Sequence, residues 1–204
     1  MRWLGLPGRL SNSHFLIIPP YMSETHSLSC SWTFWYCPKP KGHDKLQLSL
    51  SYEQHLVPLA FVKTAEEFIS AYTFLRRITE IPFGCNLLFF KECNKPMWES
   101  WPDGGCWILK AKRADGHVDE YWESLLLACL DDTFSEKVVG VMASARSSEV
   151  IFQVWVNEGI ENRDSVCALL KQLLHLDEAH PIYYKWHRLS LFDLSTMKNS
   201  IVCN

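Results

Sequence analysis

The alternation of short strand-like runs with three helix-like segments is the feature of this sequence that most restricts its fold. The strand-like runs are apolar and rich in aromatic and β-branched residues, and six are predicted at 31–37, 86–90, 106–113, 138–146, 150–156 and 182–189. Because most of these runs are connected by short linkers, the order predicts an α+β domain whose antiparallel sheet carries its helices on one face. The other face is then free for a ligand.

The three helices are predicted from capping residues and from apolar residues at helical spacing. The first begins with the capping box Thr64-Ala-Glu-Glu67, continues through Phe68, Tyr72 and Leu75, and is expected to end near Arg77. The second is predicted from about residue 119, and the third over 164–174.

Composition limits the class of protein. With 204 residues, of which 48% are hydrophobic and 21% charged, the chain suits one globular domain. A net charge of −3 provides no global basic field, so any contact with a nucleic acid is expected to be local. The eight cysteines form no C-x-x-C pair, which predicts a reduced intracellular protein, and we expect neither a metal nor a cofactor.

Residues 1–25 are predicted to form a loosely ordered tail that precedes the domain at 26–204. The apolar run at 15–18 is too short for the core of a signal peptide, and Pro19 and Pro20 end it. Since no stretch approaches the roughly 18 to 20 apolar residues that span a bilayer, we expect no membrane segment.

Trp98 and Glu99 form the most informative pair in the chain, because they are adjacent in a proline-bounded loop after a predicted strand. An aromatic face beside a carboxylate suits a planar, cationic ligand that donates hydrogen bonds. A loop tryptophan can equally anchor the loop to the core, and a loop glutamate can simply be solvated.

Several motifs in the chain share an order and a spacing. They are His26-Ser-Leu28, Trp32-x-x-Trp35-Tyr36, Lys95-Pro-Met-Trp-Glu99, Gly104-Gly-x-Trp107, Tyr121-Trp122, and Arg146 with Trp155 nine residues later. In this set the sequence resembles the eukaryotic translation initiation factor 4E family over most of residues 26–190. The resemblance implies a curved antiparallel sheet with three helices on its convex face and a cap-binding slot on its concave side. It also implies a cytoplasmic, monomeric protein that binds capped messenger RNA in translation initiation or its regulation, and no catalysis.

The resemblance also assigns roles to residues of the slot. Tyr52 and Trp98 are expected to sandwich the 7-methylguanine, Glu99 to read its edge, Arg146 to hold the phosphates and Trp155 to contact the methyl group. Arg146 could otherwise be a surface residue at a strand end, and Trp155 a core residue of its strand.

Three positions depart from the commonest pattern of the family. The first stacking ring is Tyr52 rather than Trp, and Cys106 and Ile151 stand where basic residues are usual. These departures, together with Trp122-Glu123-Ser124, resemble the divergent branch called 4E homologous protein or novel cap-binding protein. Its members often repress particular messages.

The convex surface is expected to bind scaffold or repressor proteins through His26, Ile69, Trp122 and Glu123. In the family a Trp occupies the position of Ile69, and we predict that Ile69 lies at the border between core and solvent. Ile69 and the charge of Glu123 predict weak binding of the general initiation scaffold.

Two other functions remain open at this point. The fold could serve as an interaction module that has lost the cap, because Cys106 and Ile151 are not basic. A hydrolase with a cysteine nucleophile is the alternative from another class, although no nucleophile-elbow motif occurs.

Overall fold

The computed structural model describes residues 25–38, 52–92, 95–131, 133–159 and 163–203. Nearly all of the predicted tail at 1–25 therefore lies outside the described residues. Eight strands form one antiparallel sheet in the order β2-β1-β3-β5-β6-β4-β7-β8. The strands are β1 (Ser27–Cys37), β2 (Val57–Thr64), β3 (Asn86–Lys91), β4 (Gly105–Lys112), β5 (Val138–Ala145), β6 (Glu149–Val156), β7 (Ile182–Trp186) and β8 (Ile201–Cys203).

The helices are α1 (Tyr52–His55), α2 (Ala65–Phe74), α3 (Val118–Leu130), α4 (Arg163–Leu173) and α5 (His187–Asp193), with short 3-10 turns at Ile78–Glu80 and Trp98–Ser100. The N-cap role of Thr64 in the predicted capping box is confirmed, since the Glu67 backbone N–H donates to Thr64 Oγ1 at 3.2 Å, while the Glu67 carboxylate accepts from the Lys63 backbone N–H at 2.7 Å. Among the described helices, none is long and apolar enough to cross a membrane.

The sheet has two differently covered faces, because successive side chains of a strand point to opposite sides. In β3, Leu87 and Phe89 pack under α2, α3 and α4, whereas Leu88 and Phe90 join a separate cluster on the other side. We call these sides the helix face and the slot face. The predicted α+β sheet with three helices on its convex side is thus confirmed.

The sequence missed β2, β8, α1 and α5. The predicted strand at 182–189 is wrong beyond Trp186, because β7 pairs with β4 and that neighbour begins only at Gly105, the partner of Trp186. α5 replaces the last part of the predicted strand. The first long helix ends at Phe74, three residues before its predicted end.

Candidate functional site

A cavity of about 330 Å³ opens on the slot face. All five residues predicted for the slot line it, namely Tyr52, Trp98, Glu99, Arg146 and Trp155. Eight further lining residues are Cys37, Gly84, Asn86, Met97, Met142, Ser144, Leu194 and Thr196. The structure therefore gathers side chains from seven separate parts of the chain into one site.

Two aromatic side chains of the cavity come from short, unconnected elements. Tyr52 starts α1, and Trp98 starts the 3-10 turn that Trp101 closes by donating its backbone N–H to the Trp98 carbonyl at 3.1 Å. Lys95, just before the turn, forms an ion pair with Glu53 of α1. This exposed pair adds little stability by itself, but it links the segments that carry the two rings.

Tyr52 and Glu99 differ in their surroundings. Burial, with smaller contributions from Cys37 and Glu99, raises the pKa of the Tyr52 phenol well above its ordinary value, so Tyr52 is a neutral ring. Glu99 is exposed beside Trp98. A carboxylate at this edge of the cavity is available to accept hydrogen bonds from a bound ring.

Arg146 follows the last residue of β5 and is exposed. Its backbone is fixed by the hydrogen bond from Arg146 N to the Glu149 carbonyl at 2.9 Å. Arg113 supports the region from behind by donating to the carbonyls of Arg146 at 3.5 Å and Ile81 at 2.8 Å. Within the described part of the chain, the Arg146 guanidinium forms no ion pair, which leaves its charge for an anion.

Trp155 lines the cavity from the interior of β6, where only 2% of its surface is exposed. Its indole N–H donates to Gln153 Oε1 at 3.1 Å, and its ring packs on Phe90 and Trp101. Trp155 is therefore both a core residue of its strand and part of the cavity wall. His187 lies behind it, with ring centroids 4.5 Å apart.

A row of polar and thiol groups also lines the cavity and was missed from the sequence. Cys37, Asn86 and Ser144 are cross-strand neighbours on β1, β3 and β5. Asn86 Oδ1 and Ser144 Oγ are buried and have no hydrogen-bond partner among the described residues. The sequence did carry a signal for these residues, because Asn86 and Ser144 are single polar residues in otherwise apolar strands. A buried polar atom needs a hydrogen-bond partner, which a ligand can supply.

Three of the four predicted partner residues, His26, Ile69 and Glu123, are exposed on or beside the helices. His26 donates its backbone N–H to Glu66 Oε2 at 3.1 Å and its ring Nδ1 lies 2.7 Å from Glu66 Oε1. These contacts, the side-chain one first, lower the pKa of Glu66 to about 2. The contacts anchor the start of β1 to α2, while Ile69 on α2 and Glu123 on α3 are exposed.

Two expectations on this surface need correction. Ile69 is 60% exposed, which is well past the border of the core, because the α2 residues that face the sheet are Phe68 and Ala71. Trp122 was predicted to bind partners, but it is 2% exposed on the inner stripe of α3 and cannot present its ring to another protein.

The fold and the site together define a small α+β binding domain, with helices on one face of a sheet and an aromatic cavity on the other. The family model described as Eukaryotic initiation factor 4E matches residues 27–202, and the chain belongs to that family.

Relatives agree with this assignment. The Eukaryotic translation initiation factor NCBP of Triticum aestivum is 31% identical over 182 residues, covering 86% of this chain and 75% of that protein. Initiation factor 4E-4 of Caenorhabditis elegans is 30% identical over 189 residues, covering 89% and 86%.

Solved structures of the family are similar as well. The Ascaris suum eIF4E-3 in complex with an m7G cap has a TM-score of 0.70 at 26% identity, covering 80% of this chain and 92% of that one. A schistosome eIF4E in complex with m7GpppA and 4E-BP has a TM-score of 0.72 at 25% identity, covering 88% and 97%.

Proposed function

We propose that this protein binds the 7-methylguanosine cap of messenger RNA in the cavity of the slot face. The observation that carries the proposal is the convergence of Tyr52, Trp98, Glu99, Arg146 and Trp155 on one cavity. Methylation at N7 makes the purine a delocalised cation, and aromatic faces attract it by about 1–3 kcal/mol per ring. The similar structures from Ascaris suum and a schistosome hold cap ligands, which supports the same ligand class here.

Each remaining group suits a different part of the cap. Glu99 would accept from N1–H and the exocyclic amine of guanine, a pair of donors that adenine lacks. Arg146 would offer its planar fork to the phosphate chain. Asn86 Oδ1 and Ser144 Oγ, which have no hydrogen-bond partner within the described ranges, give the cavity further hydrogen-bonding capacity toward the ligand.

The chain has fewer basic residues to bind the phosphates than is usual in the family. Cys106 and Ile151, which stand at usually basic positions, are both buried on the slot face and carry no charge. Tyr52 likewise offers less stacking area than Trp. With the likeness to the wheat NCBP, these features support a divergent member of the family that takes part in translation initiation or represses particular messages in the cytoplasm.

Catalysis by a cysteine is disfavoured by the surroundings of the thiols. Burial raises the pKa of Cys37 to about 11 and that of Cys106 to about 12, so both are protonated near neutral pH. A protonated, buried thiol is a poor nucleophile. We therefore propose a binding protein and not an enzyme.

We propose that scaffold or repressor proteins bind the helix-face surface, and the complex of a schistosome eIF4E with 4E-BP supports a protein partner of this kind. Ile69 and Glu123 are exposed there, and the pKa of Tyr72 is raised first by burial and then by the nearby charge of Glu123. Aliphatic Ile69 provides less area than an indole and no N–H donor, so a docking peptide would need additional contacts elsewhere.

Retention on a 7-methyl-GTP resin, with elution by free 7-methyl-GTP but not by GTP, tests the proposed function. Trp98→Ala and Glu99→Ala should each weaken binding by roughly 1–3 kcal/mol without unfolding the domain. Phe192→Ala and Glu92→Ala are matched controls, since both residues are exposed and outside the cavity. A folded wild type that is not retained would favour the interaction module that has lost the cap.

A further inference from the structure

A buried ion pair lies behind one wall of the cavity. Lys185 of β7 has a side chain that is 0% exposed, and Asp193 at the end of α5 is 2% exposed. The Lys185 ammonium donates to Asp193 Oδ1 at 2.8 Å, to Asp193 Oδ2 at 2.9 Å and to the Ser195 carbonyl at 2.6 Å. These acceptors satisfy the donors of a buried charge that would otherwise be costly.

Asp193 uses the same carboxylate to shape the segment that follows α5. It accepts from the Ser195 backbone N–H at 3.1 Å and from Asn199 Nδ2 at 3.0 Å. Leu194, between Asp193 and Ser195, has a φ of 49°, a left-handed conformation that is uncommon for a non-glycine residue and that persists when its surroundings hold it there. The carboxylate thus closes a turn and at the same time attaches it to β7 through Lys185.

The turn carries part of the cavity wall. Leu194 and Thr196 line the cavity, and Met197 packs into the cluster of the slot face. Neither Lys185 nor Asp193 lines the cavity, so the pair acts on the wall from behind.

We propose that Lys185 and Asp193 are positioning residues of the cap site, which set where Leu194 and Thr196 stand and thereby how tightly the cavity holds its ligand. The effect on affinity rests on the proposed function. A buried ion pair is rarely worth more to folding than apolar residues of similar volume. Its contribution here is the fixed geometry of three directed hydrogen bonds, which an apolar pair would not supply.

The test separates positioning from stability with two variants. Lys185→Met leaves a buried carboxylate without its cation and should lower stability. Lys185→Met/Asp193→Asn removes both charges and keeps an oxygen for Ser195 and Asn199, so stability should return toward wild type. Lys171→Met is the matched control, because Lys171 is also buried and bonded to a carbonyl, that of Glu178 at 2.6 Å, but does not line the cavity.

Two readouts are measured on the full chain, namely affinity for 7-methyl-GTP by tryptophan fluorescence and amide hydrogen exchange over 194–200 without ligand. For the double variant we expect faster exchange over 194–200 and affinity at least about fivefold weaker, although its stability has recovered. Lys171→Met should keep wild-type affinity and wild-type exchange over 194–200.

Recovery of affinity together with stability in the double variant would overturn the proposal, as would unchanged exchange over 194–200. A wild type that binds no 7-methyl-GTP would reject the proposed function instead. The exchange measurement would then still decide whether the pair positions the wall.

Discussion

His187 should make the stability of the domain depend on pH above the range in which carboxylates titrate. The side chain is fully buried, its Nδ1–H donates to the Trp101 carbonyl at 2.8 Å, and its Nε2 has no hydrogen-bond partner among the described residues. A proton on Nε2 would therefore be buried without an acceptor. Burial lowers the pKa of His187 from 6.5 to about 4, against a smaller opposing effect of the Trp101 bond.

The magnitude follows from these two pKa values. Above pH 6.5 the imidazole is neutral in both the folded and the unfolded chain, and the full stability is present. As the pH falls from 6.5 toward 4, His187 becomes protonated in the unfolded chain but stays neutral in the folded chain. The free energy of unfolding therefore decreases. Between pH 7.5 and pH 5 the loss attributable to His187 is about 2 kcal/mol.

Urea unfolding at pH 7.5 and pH 5, on the wild type and on His187→Asn, measures this loss. The Asn amide nitrogen corresponds to Nδ1 and can still donate to the Trp101 carbonyl but does not titrate, so the variant should lose about 2 kcal/mol less than the wild type over the same interval. Acid-sensitive Glu66, whose pKa is lowered to about 2, contributes mainly below pH 4.5 and is common to both proteins. Equal losses in the two proteins would refute the assignment of the pH dependence to His187.

Three further predictions concern the two surfaces of the molecule. Tyr52→Trp should tighten cap binding or leave it level, and Tyr52→Ala should weaken it clearly; an unaffected Tyr52→Ala protein in a fluorescence titration would move the first ring elsewhere. Arg146→Glu should lower the affinity for 7-methyl-GTP and reduce its salt dependence, and a salt slope equal to that of wild type would remove Arg146 from the site. Calorimetry should show weak binding of the docking peptide of the general initiation scaffold and tighter binding by Ile69→Trp, whereas a tight wild-type complex would contradict the role given to Ile69.

The elements that sequence predicted well are those with a strong local pattern. α2 has a capping box and α3 a wide apolar stripe, while β5 and β6 are buried along almost their whole length. The elements that it missed lack such signals. β2 contains Pro58 and is half exposed at the edge of the sheet, and β8 has only three residues, so tertiary pairing defines both.

The residues of the site that were predictable are likewise those that belong to a local motif. Trp98 and Glu99 were recognisable because they share one loop, and Arg146 and Trp155 because a family motif joins them. Leu194 and Thr196 could not be predicted, since they belong to no motif and reach the cavity only through the turn held by Asp193 and Lys185. Trp122 shows the limit of a motif, because its place beside Tyr121 implies a partner contact whereas its place on the apolar stripe of α3 buries the ring.

Because several thiols are buried, the rates at which they are alkylated report how often the structure around them opens. Cys106, Cys129 and Cys203 are all buried, and burial raises the pKa of each. An alkylating reagent reacts with thiolate that it can reach, so these positions in α3 and in the sheet should react only as fast as the core around them opens. Cys37 differs because it is buried but lines the cavity. Its labelling rate would therefore report local opening of the cavity separately from global unfolding. Mass spectrometry of pulse-labelled protein could therefore compare the opening rates of the cavity and of the core in one experiment, with no introduced cysteine.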